Sequence, residues 1–186
     1  MELMKTKEFL YKSSLFEGIL HGLPLLRNSI LDDYVIVTAS SVYSSHIPSN
    51  VLKNDGSCWY SWHDGQTVLK PNEWIQFDFK GNKVAINAYA FKVGHSPKSW
   101  KIEGSNDNTS FTIIHNKTLN EDFKECNWNN WEKLYTLDKV SDMFRYIRIT
   151  QGDDGNWNYP DNPLYMHNFG FYRIELFGYY QQWKNI

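Results

Sequence analysis

From Val35 onward the chain is a succession of short β-rich runs: "VIVTAS", "WIQFDF", "VAINAYAFKV", "SWKIEGS", "FTIIHNKTL", "FRYIRIT" and "FYRIELFG", separated by turn-rich segments. Helical periodicity is missing over this region. Strands this short cannot bury a face alone, so the pattern specifies an all-β sandwich or barrel. Within the runs the period is two. Ile75, Phe77 and Phe79 point one way and Trp74, Gln76 and Asp78 the other; Ile147 and Ile149 oppose Tyr146 and Arg148. In "SWKIEGS" the residues Trp100, Ile102 and Gly104 share a face while Lys101 and Glu103 face water. Trp100 therefore reads as a core residue, and the following "GSND" as the turn that ends its strand, because Gly, Asn and Asp accept backbone angles that other residues resist.

The first thirty residues read differently. In "SSLFEGILHG" Ser14 can cap a helix, with Glu17 bonding back to it, and Leu15, Phe16, Ile19 and Leu20 form an apolar face that ends at Gly22 and Pro24. That face packs on the body of the domain or forms a seam to a neighbour; packing in place is the preferred reading. The expected organisation is a helical extension over residues 1–31, a β domain over residues 32–180 and a short tail over residues 181–186.

The 19 basic and 21 acidic side chains nearly balance, so no overall charge recruits nucleic acid. The N-terminus lacks the apolar core and cleavage site of a signal peptide, and no run is long enough to cross a bilayer, so a soluble, cytoplasmic chain is expected. Cys58 and Cys126 lie far apart and form no CxxC pair, which leaves neither a zinc knuckle nor a redox dithiol. No nucleophile elbow, HExxH or phosphate loop is written, so no enzyme is expected. Cys58 with His63 could be drawn as nucleophile and base, but a buried structural cysteine is the more ordinary reading.

"VTASS", "WIQFDF", "AYAFKVG", "SPKSWKIEGSNDNTSF", "FRYIRIT", "GNW" and "FYRIELFG", in this order over about residues 35 to 178, resemble the discoidin domain, also called the coagulation factor 5/8 type C domain. The wording of "SPKSWKIEGSND", "FRYIRI" and "FEGILHGL" is most similar to a cytoplasmic protist branch often found beside BTB domains. The resemblance implies an eight-stranded antiparallel jelly roll, galactose-binding-like, whose loops at one end bind glycans, phospholipid headgroups or proteins. Fold alone does not choose among these.

Each loop offers candidates. The first, "SVYSSHIPSNVLKNDGSCWYSWHDGQ", carries His46, Trp62 and His63; Trp59 and Tyr60 occupy the family's usual aromatic core position and are expected to be buried. "GHSPKS" supplies His95. The long segment "QGDDGNWNYPDNPLYMHN" supplies Asp154, Asn156, Trp157, Tyr159, Tyr165 and His167. A sugar needs a flat apolar face for its C–H side and nearby polar groups for its hydroxyls, which Trp157 or Tyr159 with these neighbours can provide. Trp157 can equally prop its loop. Many secreted relatives hold a structural calcium; here Lys53 and Cys58 replace common ligand positions, which weighs against the ion, and Asp55 and Glu175 are the candidates that remain. No cofactor is required. The expected function is a non-catalytic module that recognises a carbohydrate. The alternative is an intracellular protein-interaction module of the substrate-adaptor type, related to ubiquitin ligases and part of a longer BTB-containing chain or complex. Phospholipid headgroups come third, because the loops lack a Lys/Arg cluster and a membrane is not the expected partner.

Overall fold

The computed structural model describes residues 4–25, 34–61, 71–125 and 131–183. Among them ten strands form two five-stranded antiparallel sheets. The strands are β1 (Met4–Phe9), β2 (Ile36–Ala39), β3 (Trp59–Tyr60), β4 (Trp74–Asp78), β5 (Lys83–His95), β6 (Trp100–Ser105), β7 (Thr112–Lys117), β8 (Glu132–Thr136), β9 (Tyr146–Gln151) and β10 (Gly170–Trp183). One sheet runs β2-β4-β9-β6-β7. The other runs β1-β10-β5-β8, with β3 also on β10. The all-β jelly roll is as expected; the count exceeds eight because β1 and the two-residue β3 share the edge of β10 that β5 does not use.

The alternation in the sequence fixes which face is buried. Ile75, Phe77, Phe79, Trp100, Ile102, Ile147 and Ile149 are fully enclosed between the sheets, meeting Tyr89, Phe91, Phe171 and Leu176 from the opposite layer. Trp100 is at the centre: its ring packs against Phe91, Phe123 and Tyr135, and its indole N–H donates to the Tyr89 hydroxyl at 2.9 Å.

The N-terminal segment differs from the expected helix. It opens with β1, whose Met4 pairs with Trp183 and Phe9 with Gly178. The helix α1 begins only at Ile19 and runs to Leu25, so Gly22 and Pro24 lie within it rather than ending it. Ser14 accepts a long bond from the Phe16 N–H and does not cap α1. The cap comes from far away: Glu175, on the outer face of β10, accepts from Leu20 N–H at 2.7 Å and from His21 N–H at 3.0 Å. Negative charge is favoured at that end of a helix. Ile19, Leu20 and Leu23 join the main core, while Phe16 and Leu15 cover Ala88, Ala90 and Phe177 on the outside of the sheet. The segment thus packs in place. Among the described residues no helix is long and apolar enough to cross a membrane.

Candidate functional site

Strand register brings several loops to one pole. Ala39 of β2 pairs beside Ile75, Trp74 beside Thr150, Trp100 beside both Gln151 and Lys117, and His95 beside Gly170. The connections after β2, β5, β7 and β9 therefore all leave from the same end of the sandwich.

A continuous row of rings crosses that pole. Tyr43 stacks on His46, with centroids 5.8 Å apart and planes 6° from parallel. His46 meets Tyr60 at 4.9 Å, Tyr60 meets His95 at 4.6 Å, His95 meets Tyr159 at 6.1 Å, and Tyr159 meets Tyr165 at 5.3 Å. Tyr43, His46, Tyr60, Tyr159 and Tyr165 are half-buried, whereas His95 is buried. Rings of this kind combine a flat apolar surface with polar edges.

Local chemistry explains the row. Ser44 adopts φ +52° in a turn closed by His46 N–H donating to the Tyr43 carbonyl, which brings Tyr43 and His46 onto one side. The buried Asn50 amide then ties the loop together, donating to the carbonyls of Ser45 and Cys58. Tyr60 lies over Gly94 and Gly170, where an added Cβ would fall 2.4 Å and 2.1 Å from its ring; only glycine leaves room for the tyrosine there.

Asn156 and Trp157 turn their hydrogen bonds to the scaffold. Asn156 is fully buried: its amide donates to the carbonyls of Tyr165 and Asn168, and its oxygen accepts from Tyr159 N–H. It folds the loop that displays Tyr159 and Tyr165. Trp157 donates its indole N–H to the Asn120 carbonyl at 2.9 Å, and the ammonium groups of Lys98 and Lys124 lie 4.9 Å and 5.2 Å from its ring centre. It braces three loops together, the propping role that the sequence left open. His167 is buried, and burial lowers its pKa. Asp154 lies outside the row, in a polar cleft of about 190 Å³ shared with Asp153, Lys101 and Asn116. Trp62 and His63 fall outside the described residues.

Tyr43 and Tyr60 belong to the row although neither stood among the predicted binding residues. Tyr60 was expected in the core with Trp59, yet neighbours in a strand face opposite ways: Trp59 is fully buried and Tyr60 is not. That period of two was the available signal. Burial, with the hydroxyl contact to Tyr172, pushes the Tyr60 phenol far above its usual pKa.

The candidate metal ligands are engaged elsewhere. Asp55 accepts from the N–H of Ser57 within its own turn, and both Glu175 oxygens hold backbone amides of α1 and β10. Among the described residues no three His, Cys, Asp or Glu side chains converge as a ligand set. His46 Nδ1 lies 3.0 Å from Cys58 Sγ, but burial raises the thiol pKa and keeps it protonated, which works against a thiolate nucleophile.

A model of the F5/8 type C domain matches residues 36–162. No curated protein sequence matches the chain. Among solved structures, chitosan-binding module 1 of a chitosanase/glucanase from Paenibacillus sp. IK-5 is similar at 17% identity, covering 77% of this chain and 94% of that one with a TM-score of 0.56. The family 32 carbohydrate-binding module of NanJ from Clostridium perfringens, in complex with galactose, has 15% identity, coverage of 78% and 93% and a TM-score of 0.54. The family 32 module of AlyQ, in complex with 4,5-unsaturated mannuronic acid, has 22% identity, coverage of 78% and 95% and a TM-score of 0.55. The fold, the order of its strands and the family match over residues 36–162 agree: the chain belongs to the F5/8 type C, or discoidin, domain family.

Proposed function

We propose that this domain is a non-catalytic carbohydrate-binding module whose ligand lies across the row from Tyr43 to Tyr165. The observation that carries the reading is the continuity of those rings from the loop after β2 through β3 and the end of β5 to the loop after β9, all but His95 half-buried. A platform ordered before binding reduces the entropy lost on association. His46, Tyr159 and Tyr165 contact the sugar, and Asn156 and Trp157 hold the loops. The chitosan, galactose and uronic-acid modules named above support this ligand class by analogy of fold.

A printed glycan array followed by isothermal titration tests the reading. Saturable binding to a subset of glycans is expected, weakened about tenfold or more by Tyr159→Ala or His46→Ala, since each removes buried apolar contact. An array without retained glycans, or variants that bind as the parent does, refutes it.

A protein partner is the second reading, favoured by apolar residues at the same pole. Ile47 is 45% exposed and Leu119 is 64% exposed, the latter held at φ +45°. A substrate adaptor in the cytoplasm, beside a BTB domain, is the setting that reading requires. Capture of a defined protein that is lost on Leu119→Asp, with a silent array, selects it.

A further inference from the structure

Beside the row, on the outer face of the β10 sheet, three cations converge on a small cleft lined by Lys53, Asn54, Gly56, Lys92, Tyr172 and Arg173. Arg173 and Lys92 are direct cross-strand partners of β10 and β5, a like-charge pairing that costs stability in an antiparallel sheet. The register shifts between Phe171 and Arg173, so Tyr172 is the extra residue of a β-bulge. Bulges re-aim side chains, and this one brings consecutive residues, Tyr172 and Arg173, to the same cleft. Lys53 arrives from the loop before β3, whose turn is made by Gly56 at φ +82°.

The cations are incompletely neutralised. Lys92 pairs with Glu132 at 3.1 Å, and Lys53 donates to the Asn50 side-chain oxygen at 3.0 Å. Arg173 donates to the Asn54 oxygen at 3.3 Å and stacks over Phe16, leaving most of its five donors for another acceptor. Three carboxylates stand near them: Glu132, paired with Lys92, and Glu175, bonded to α1, both act on Arg173, and Asp55, bonded to Ser57, acts on Lys53, yet among the described residues neither Arg173 nor Lys53 makes an ion pair. The cleft holds about 30 Å³, small for a sugar ring and suited to the head of an oxyanion. It adjoins the row directly: Tyr172 and Tyr60 have hydroxyls 3.4 Å apart and rings in edge contact.

We infer that Lys53, Lys92 and Arg173 form an anion subsite that receives a sulfate or carboxylate group carried by the glycan on the aromatic row. The ligand class is then an acidic saccharide, and this part of the inference rests on the carbohydrate reading above. Guanidinium groups suit planar, bidentate oxyanions, and lysine adds a point charge without fixed direction.

Two measurements test it. First, inorganic sulfate is titrated into the labelled protein and followed by NMR at constant ionic strength. Saturable shifts are expected at the amides of Gly56, Tyr172 and Arg173 and are weakened about tenfold in Lys53→Ala or Arg173→Gln. Lys53 is exposed, so its variant tests the charge without disturbing the stacking of Arg173 on Phe16. No saturable shifts there, or shifts unchanged in Lys53→Ala, overturn the subsite. Second, sulfated, uronate-bearing and neutral forms of the same oligosaccharide are compared. The subsite predicts at least tenfold preference for one acidic form over the neutral form, lost in Lys53→Ala, whereas Tyr159→Ala weakens all forms. The sulfated and uronate arms identify the anion. Equal affinity for all three forms overturns the acidic ligand. Sulfate binding on a protein that retains no saccharide leaves the subsite standing and removes the carbohydrate reading instead.

Discussion

Replacing Trp100 and its hydrogen-bond partner separates packing from polar satisfaction in the centre of the sandwich. The indole N–H donates to Tyr89, whose hydroxyl lies 2.8 Å from His115 Nδ1, forming a chain from Trp100 through Tyr89 to the imidazole. Burial lowers the His115 pKa, consistent with a neutral ring that accepts from the hydroxyl. Trp100→Phe removes roughly 40 Å³ of ring, worth about 1 kcal/mol as a residual cavity. It also removes one hydrogen bond, worth about 1 kcal/mol, but strands no donor because Tyr89 keeps His115. Its cost is therefore about 2 kcal/mol. Tyr89→Phe removes little volume yet leaves the buried indole N–H without an acceptor, costing about 2–3 kcal/mol. In the double variant no indole remains to be stranded, so the combined loss is about 3 kcal/mol rather than the sum, a coupling of about 1–2 kcal/mol. Urea denaturation of all four proteins at one pH provides the cycle, with midpoints compared at constant slope. Strict additivity refutes the hydrogen-bond argument, and a Trp100→Phe loss below about 0.5 kcal/mol refutes the cavity argument as well.

Burial raises the Glu175 pKa from its ordinary 4.5 to about 7, against the backbone bonds that favour its charged form. The folded state then holds this proton more tightly than the unfolded state, so its contribution is fully present below pH 4.5 and is lost as pH rises through about 7. The loss totals about 3 kcal/mol at 1.36 kcal/mol per pH unit. Glu175→Gln removes that slope, and urea titrations at pH 5 and pH 8 that run parallel for variant and parent contradict the assignment. For Trp157→Ala a destabilisation of about 2 kcal/mol is expected, with faster amide exchange in residues 96–99 and 118–125. Unchanged stability and exchange combined with lost glycan binding would instead make Trp157 a ligand contact.

The strands that alternate strongly were legible in the sequence, and those that depend on a neighbour were not. β4, β6 and β9 announce their buried faces through Ile75, Phe77, Trp100, Ile102, Ile147 and Ile149. β1, written "MKTKEF", has little to bury and exists as a strand because the free edge of β10 offers it hydrogen bonds. The start of α1 shows the same limit. Ser14 and Glu17 form a capping pattern on paper, but the amides of Leu20 and His21 are met by Glu175, which is 155 and 154 residues away along the chain. A distant carboxylate outcompetes a local motif, and no window of sequence contains both. His46, His95, Tyr159 and Tyr165, candidates by loop composition, lie in the row of rings. Asn156 and Trp157 share that loop composition, but their hydrogen bonds turn inward. The Lys92 and Arg173 pairing depends on β5 to β10 register and on a bulge, neither of which the sequence displays.

The pairing of Met4 with Trp183 joins the first and last described strands at the pole away from the ring-lined loops. Residues 4 and 183 stand next to each other on that far side. The domain can thus hang from a stalk, or be spliced into a larger protein as a cassette, with its tyrosines still facing outward.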